Sequence, residues 1–388
     1  MIPVDSSQST TQSRKWVIKI GSSLLLDTQG KLAESRVRDW LRQISILHDA
    51  GVEIVLVSSG AVATGAHRLG WQERPQELPK RQAAASVGQS LLLHGYEKIL
   101  QGLQQHSQHP LHCGQVLLTH EELRNRARYL NARETLRTLL AHNVLPIVNE
   151  NDAISYQPIQ LGDNDTLAAV VANLWDADLL ILLTDQQGLY DADPRQNPNA
   201  QLIHRGRAGD PGWEKLAGAK GSGVGTGGML AKVKAAARAA RSGTSTHIVG
   251  GLVPEVLLRI AQGEIVGTLL EAKVPVLAAR KRWLSDHLRV HGQLHLDAGA
   301  IRAVRDEGAS LLIQGVTALQ GEFRRGDLIG CMDGEGREIA RGLCKVDARL
   351  LRHALDQARQ GEEIPEDCHV LIHRDDLVLA EDTIKVRS

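Results

Sequence analysis

Residues 179–184 read LLILLT, an unbroken apolar run that the polar, glycine-containing segment DQQGLY at 185–190 ends abruptly. A run this short and this apolar predicts a strand buried on both faces, since a half-buried strand alternates polar and apolar residues. Four similar runs flank it in the chain: WVIKI at 16–20, VEIVLV at 52–57, VLPIV at 144–148 and THIVG at 246–250. Segments of helical period lie between them, at 34–50, 82–105, 121–142 and 164–175. Strands alternating with helices predict an α/β fold with a mostly parallel sheet, covered on both faces. Ligands bind such sheets beyond the carboxyl ends of the strands. Lys19-Ile20-Gly21, Ser58-Ser59-Gly60, Asn149–Asp152 and Thr184-Asp185 all fall at those ends.

The texture changes after the basic segment Arg280-Lys281-Arg282-Trp283. From about Ser285 the chain is short apolar runs separated by glycine turns: GQLHL, SLLIQGVTAL, GEFRRGDLIG and GREIARGL. That pattern predicts a small β-rich domain. The expected organisation is a disordered tail over 1–14, an α/β domain over 15–280, a linker over 281–290 and the β-rich domain over 291–388.

Composition narrows the functional classes. The chain has 388 residues, 42% hydrophobic, which is enough for one or two sizeable cores. Its 45 basic residues balance 45 acidic ones, so bulk charge does not hold it on nucleic acid or anionic lipid. Aromatics are only 3%, leaving few residues to stack on bases. Cys113, Cys331, Cys344 and Cys368 form no CxxC pair, so neither a zinc ribbon nor a disulfide framework is signalled, and reduced cytosolic thiols are expected. The N-terminal SSQSTTQS lacks the apolar core of a signal peptide. No apolar run reaches the roughly 18 residues of a membrane span.

A glycine-dense stretch carries the chemistry. Val224–Arg241 reads VGTGGMLAKVKAAARAAR: a loop running straight into an alanine-rich helix, with Lys232 near its start. Val233, Ala236, Ala237 and Ala240 are spaced i, i+3, i+4, i+7, so one face packs inward. Backbone N–H groups, a helix dipole and a lysine at one spot are the parts that hold a polyphosphate. GxxxxGK[ST] is absent, so this is no Walker A loop. A plain surface loop before an ordinary helix is the alternative. Lys19 ends the first strand before Gly21-Ser22-Ser23. A lysine inside an apolar strand is costly to bury unpaired, and either a phosphate partner or snorkelling at the strand end accounts for it. Ser58-Ser59-Gly60 opens a helix, as an anion site or as a simple N-cap. Asn149-Glu150-Asn151-Asp152 and Gly162-Asp163-Asn164-Asp165 are two acidic-amide clusters at loop–helix positions. They suit an ammonium group and Mg²⁺, or in the second case a helix cap. Thr184-Asp185 leads into a loop, DADPRQNP, able to line a nucleotide pocket or to serve as a plain strand exit. The 16 histidines show no ligand spacing.

In this order the segments VIKIGSSLL, VSSGAVATG, ASVGQSLL, GQVLLT, RYLNARETL, PIVNENDA, GDNDTLAA, LLTDQQGLYDADPR, GVGTGGMLAK and RKRW resemble those of the glutamate 5-kinases. They span about residues 16 to 283. The resemblance implies the three-layer sandwich of the amino-acid-kinase fold with a C-terminal PUA-like domain. It implies ATP-dependent phosphorylation of the L-glutamate γ-carboxylate, the opening step of proline biosynthesis. It implies that Lys19 and Lys232 act on the transferring phosphoryl group and that Ser59, Asp152 and Asn164 hold glutamate. ATP falls to Lys19, Thr184, Asp185 and the segment Thr226, Gly227, Gly228, Met229, Leu230, Ala231, Lys232. Asp165, together with Asp163, is the candidate Mg²⁺ site. The family usually carries a hydroxyl residue before the loop lysine, where this chain has Ala231. A cytoplasmic homo-oligomer, inhibited by proline, completes the expectation.

Two other readings compete. One is a sister kinase of the same fold acting on another carboxylate or on carbamate. The other is an RNA-binding role for the PUA-like domain. Against the latter, residues 286–388 hold 14 Lys/Arg against 19 Asp/Glu, a net charge of −5.

Overall fold

The computed structural model describes residues 14–27, 30–104, 110–119, 122, 125–155, 163–194, 196–218, 228–274 and 290–380. Contacts divide the chain into two compact units, Met1–Arg124 with Ala132–Val276, and Asn125–Asn131 with Leu277–Ser388. Of the expected tail and linker only Arg14, Val290 and no residue between 281 and 289 are described; Arg14 opens the first strand and Val290 the ninth.

The first unit is built on an eight-stranded sheet. Its strands are β1 (Arg14–Ile20), β2 (Val52–Val57), β3 (His112–Leu118), β4 (Val144–Glu150), β5 (Leu179–Thr184), β6 (Arg205–Arg207), β7 (Ser245–Gly250) and β8 (Thr268–Glu271). The spatial order is β3-β4-β2-β1-β5-β7-β8-β6. β3 through β7 in that order pair parallel; β8 runs antiparallel to β7 and parallel to β6. The helices are α1 (Ser22–Leu25), α2 (Glu34–Asp49), α3 (Ala61–Arg68), α4 (Leu78–Leu103), α5 (Arg126–Ala141), α6 (Asn164–Trp175), α7 (Pro211–Gly218), α8 (Met229–Ala239) and α9 (Val256–Ala261). All five apolar runs read from the sequence are strands. β3 was not among them, because Gly114 and Gln115 interrupt its apolar residues.

Alternation along β1 sorts the layers. Trp16, Ile18 and Ile20 pack with Trp40 and Ile44 of α2 and with Leu92, Tyr96 and Ile99 of α4. Val17 and Lys19 therefore point to the opposite face, which α6 and α8 cover. The sheet lies between two helical layers, as the amino-acid-kinase expectation requires. α3 and α4 cross at two glycines without room for side chains. A Cβ on Gly65 would lie 1.8 Å from the Ala84 carbonyl oxygen, and one on Gly88 would lie 1.8 Å from that of Ala61. No described helix is long and apolar enough to cross a membrane.

The second unit carries the expected β-rich texture. β9 (Val290–Leu296), β11 (Val316–Gly321), β12 (Leu328–Met332), β13 (Glu338–Leu343) and β15 (Leu377–Leu379) form a sheet of order β11-β9-β12-β13-β15. β10 (Leu311–Leu312) and β14 (Val370–Ile372) form a separate pair. Helices α10 (Ala298–Arg305) and α11 (Ala348–Gln360) start at Asp297 and Asp347, whose side chains accept from the N–H groups of Ala300 and Leu350. The core is aliphatic, with Leu294, Ile329, Leu351 and Leu371 fully buried and Cys331, Cys344 and Cys368 among them as free thiols.

Candidate active site

The carboxyl ends of β1, β2, β4 and β5 lie side by side at the middle of the sheet, and the polar residues singled out from the sequence sit on them. Lys19 is paired in register with Val57 of β2 and Leu182 of β5. Its side chain runs under α6 and ends 2.6 Å from Asp165 Oδ1. Lys232, one turn into α8, ends 3.0 Å from Asp165 Oδ2. Asp165 is completely buried, and both lysines are 5–6% exposed. One carboxylate thus bridges two ammonium groups that lie 67 and more residues away along the chain.

Opposing electrostatic effects set the protonation of this trio. Burial lowers the Lys19 pKa, and the neighbouring charge of Lys232 lowers it further; Asp165 opposes both. Burial would raise the Asp165 pKa, but the two lysines outweigh it and hold the carboxyl below its ordinary value. The trio carries two positive charges and one negative. Two ammonium groups held beside one carboxylate suit an anionic ligand.

Asp165, the candidate for Mg²⁺, stands between the two lysines. Each of its oxygens already faces an ammonium group, so a direct metal bond would have to expel a lysine. Asp163 uses Oδ1 to cap α6 through the Thr166 N–H at 2.7 Å. Among the described residues no group of three His, Cys, Asp or Glu could hold a metal ion.

The second half of the site is a network of amides. Asn164 Nδ2 donates to the Ser58 carbonyl at 2.6 Å, to Ser59 Oγ at 3.0 Å and to Asn149 Oδ1 at 2.9 Å. The structure thereby brings together Ser59 and Asn164, two of the residues expected at glutamate. Gly60, the N-cap of α3, takes φ +93°, which a side chain rarely tolerates, and turns the chain so that Ser58 and Ser59 face α6. Ser58 is held further by the Tyr96 hydroxyl at 3.0 Å. Asp152 is half-buried just past β4. Its pKa is pushed up to about 6, first by burial and then by the charge of Glu150, with Arg81 and Arg74 pulling the other way.

The remaining candidates are placed as follows. Thr184 is buried and donates through Oγ1 to Asp185 Oδ1 at 3.0 Å, at the end of β5. Gly228 is the N-cap of α8, and Met229, Leu230 and Ala231 form its first turn ahead of Lys232. Gly228 has no side chain, so the first N–H groups of α8 have no side-chain cap. Thr226 and Gly227 lie outside the described residues. Two polar residues escaped the list of candidates read from the sequence. Asn149 was visible only as one member of a polar cluster. Gln89 of α4 was not noticed; its one signal is a carboxamide in the small and apolar segment ASVGQSLL.

Comparison with known proteins agrees with this layout. The model of the amino acid kinase family matches residues 14–250, and that of the PUA domain matches residues 292–360. The chain is 50% identical over 377 residues to the glutamate 5-kinase of Nitrosospira multiformis, covering 95% of this chain and 98% of that one. It is 51% identical over 374 residues to the glutamate 5-kinase of Azoarcus sp., with the same coverage. Among solved structures, the carbamate kinase from Giardia lamblia bound to AMP-PNP superposes with a TM-score of 0.50 at 15% identity, over 68% of this chain and 99% of that one. That likeness speaks to the fold of the first unit alone. By its sheet and its near full-length relatives, the chain belongs to the amino acid kinase family, in its glutamate 5-kinase branch.

Proposed function

We propose that this protein transfers the γ-phosphoryl group of ATP to the γ-carboxylate of L-glutamate, giving L-glutamyl 5-phosphate and ADP. The observation that carries the reading is the buried Lys19–Asp165–Lys232 trio at the carboxyl edge of a parallel sheet. A carboxylate acceptor is ionised at neutral pH, so the reaction needs no general base. The site must instead bring two anions together in line and neutralise charge spread over the phosphoryl oxygens. Lys19 and Lys232 supply that charge on our reading. Asp165 holds both side chains in place and opposes the burial that lowers the Lys19 pKa. An oxygen of the γ-carboxylate attacks phosphorus, the bond to the β–γ bridging oxygen breaks, and ADP leaves with that electron pair.

Thr184, Asp185 and the loop and first turn leading to Lys232 are the nucleotide side of the proposal. The uncapped N–H groups of α8 support it, and with Ala231 in place of a hydroxyl residue the backbone carries that contact. Ser59, Asn164 and Asp152 are the glutamate side, with Asp152 opposite the α-ammonium group. Mg²⁺, when bound with ATP, would offset phosphate charge; the described residues offer it no carboxylate cage. Proline shares the α-carboxylate and α-nitrogen of glutamate, so inhibition at the same pocket, in a cytoplasmic homo-oligomer, extends the proposal.

A coupled ADP-release assay across L-glutamate, L-aspartate, N-acetyl-L-glutamate and carbamate tests the reading. Glutamate should support turnover, and aspartate should fail because its carboxylate, one methylene short, does not reach the phosphate. Preference for carbamate or N-acetylglutamate would replace this function with that of a sister kinase.

A further inference from the structure

Gln89 is 7% exposed, and it stands in α4 directly after Gly88, whose Cα is pressed against the Ala61 carbonyl of α3. Its Oε1 accepts from Asn149 Nδ2 at 2.8 Å. Its Nε2 is buried and has no hydrogen-bond partner among the described residues. A buried N–H without a partner is destabilising, so the carboxamide owes its place to the oxygen alone. From that oxygen a directed chain runs to the site. Asn149, fixed at Nδ2 by Gln89, turns Oδ1 the other way, where it accepts from the Glu150 N–H at 2.9 Å and from Asn164 Nδ2 at 2.9 Å. Asn164 Nδ2 also faces the Ser58 carbonyl and Ser59 Oγ. Every group around that nitrogen is an acceptor, so Asn164 Oδ1 points away from them. Asn164 is half-exposed, and among the described residues its Oδ1 has no partner.

We infer that Gln89 is a positioning residue for the glutamate pocket: through Asn149 it holds the Asn164 carboxamide with its oxygen turned toward the substrate ammonium group. The inference rests on the proposed function. The glycine crossing supports it independently, because Gly65 and Gly88 bring the backbones of α3 and α4 into contact beside Gln89 and fix how far its side chain reaches. A carboxamide oxygen held toward the substrate accepts from a cationic amino group. An N-acylated or deaminated substrate has no such group to offer.

The test compares Gln89→Met, which keeps the volume and removes the acceptor, with Gln89→Glu, which keeps an acceptor oxygen toward Asn149 and exchanges the NH₂ group for a second oxygen, charged when ionised. Orphaning Asn149 Nδ2 in Gln89→Met should raise KM for L-glutamate roughly 10- to 100-fold, with kcat and KM for ATP within about threefold of wild type. Gln89→Glu should keep KM for L-glutamate within about threefold of wild type. Glutarate, which lacks the ammonium group, should be used equally poorly by wild type and Gln89→Met. An unchanged KM for glutamate in Gln89→Met, or an equal rise in both variants, overturns the inference. So does an equal rise in KM for ATP. If Gln89→Met shows no cooperative melt, Gln89→Glu alone decides, since a raised KM there contradicts the role of the oxygen. Failure of the wild type to phosphorylate glutamate would instead remove the function on which the inference stands.

Discussion

Asp165→Asn keeps the shape of the side chain and removes the one negative charge that two buried lysines share. Their nitrogens lie 2.6 and 3.0 Å from its oxygens. At an effective dielectric constant of about 20, each pair represents roughly 5–6 kcal/mol of Coulomb attraction before desolvation and relaxation. Relaxation is available, because Lys19 can release its proton: burial and Lys232 already lower its pKa. The net loss should therefore approach the value for breaking a buried ion pair, about 3–5 kcal/mol. For a folding unit of this size that lowers Tm by on the order of 10 °C at pH 7. Without the carboxylate Lys19 is left with the burial that lowers its pKa, so it holds fewer protons folded than unfolded. Its contribution to stability then rises with pH toward the ordinary lysine value of about 10.4. Differential scanning calorimetry of both proteins between pH 7 and 9.5 should show the deficit of Asp165→Asn shrinking as pH rises. Wild-type Tm at pH 7, or a deficit independent of pH, would show that the carboxylate does not clamp the lysines.

Further outcomes follow from the rest of the site. Lys19→Ala and Lys232→Ala should each lower kcat by about 10²–10³-fold with the fold intact by circular dichroism; wild-type turnover in either would refute its role at the phosphoryl group. Asp152→Asn should raise KM for L-glutamate about a hundredfold or more and leave KM for ATP nearly unchanged, because a buried ammonium group would lose its counter-charge. In the wild type, kcat/KM for glutamate should fall as pH drops through about 6, the value to which burial and Glu150 push the Asp152 carboxyl. The same carboxyl should affect stability in the opposite sense. Its folded pKa lies above its unfolded one, so its contribution improves as pH falls from about 6 toward 4. A pH profile of kcat/KM flat between 5 and 7 would remove Asp152 from the pocket.

The sequence by itself determined the layers of this protein. Hydrophobic runs such as LLILLT and VEIVLV, and the helical period of 164–175, are local signals read within a few residues, and each became the element it predicted. The rule that ligands meet the carboxyl ends of parallel strands then pointed to Lys19, Ser59, Asp152 and Thr184 before any coordinates. β3 was lost because Gly114 and Gln115 break its apolar signal, and the two lysines beside Asp165 were not foreseen because no local pattern reveals a partner. Its partners are set by which strands lie side by side: β1 next to β5 brings Lys19 under α6, and the packing of α8 on α6 brings Lys232 to the other oxygen. Gln89 was hidden for the same reason, since the hydrogen bond of its side chain reaches across 60 residues to Asn149. Periodicity follows from burial along one element and survives in the linear chain. Charge pairing and hydrogen-bond direction exist only between elements, and tertiary packing alone decides them.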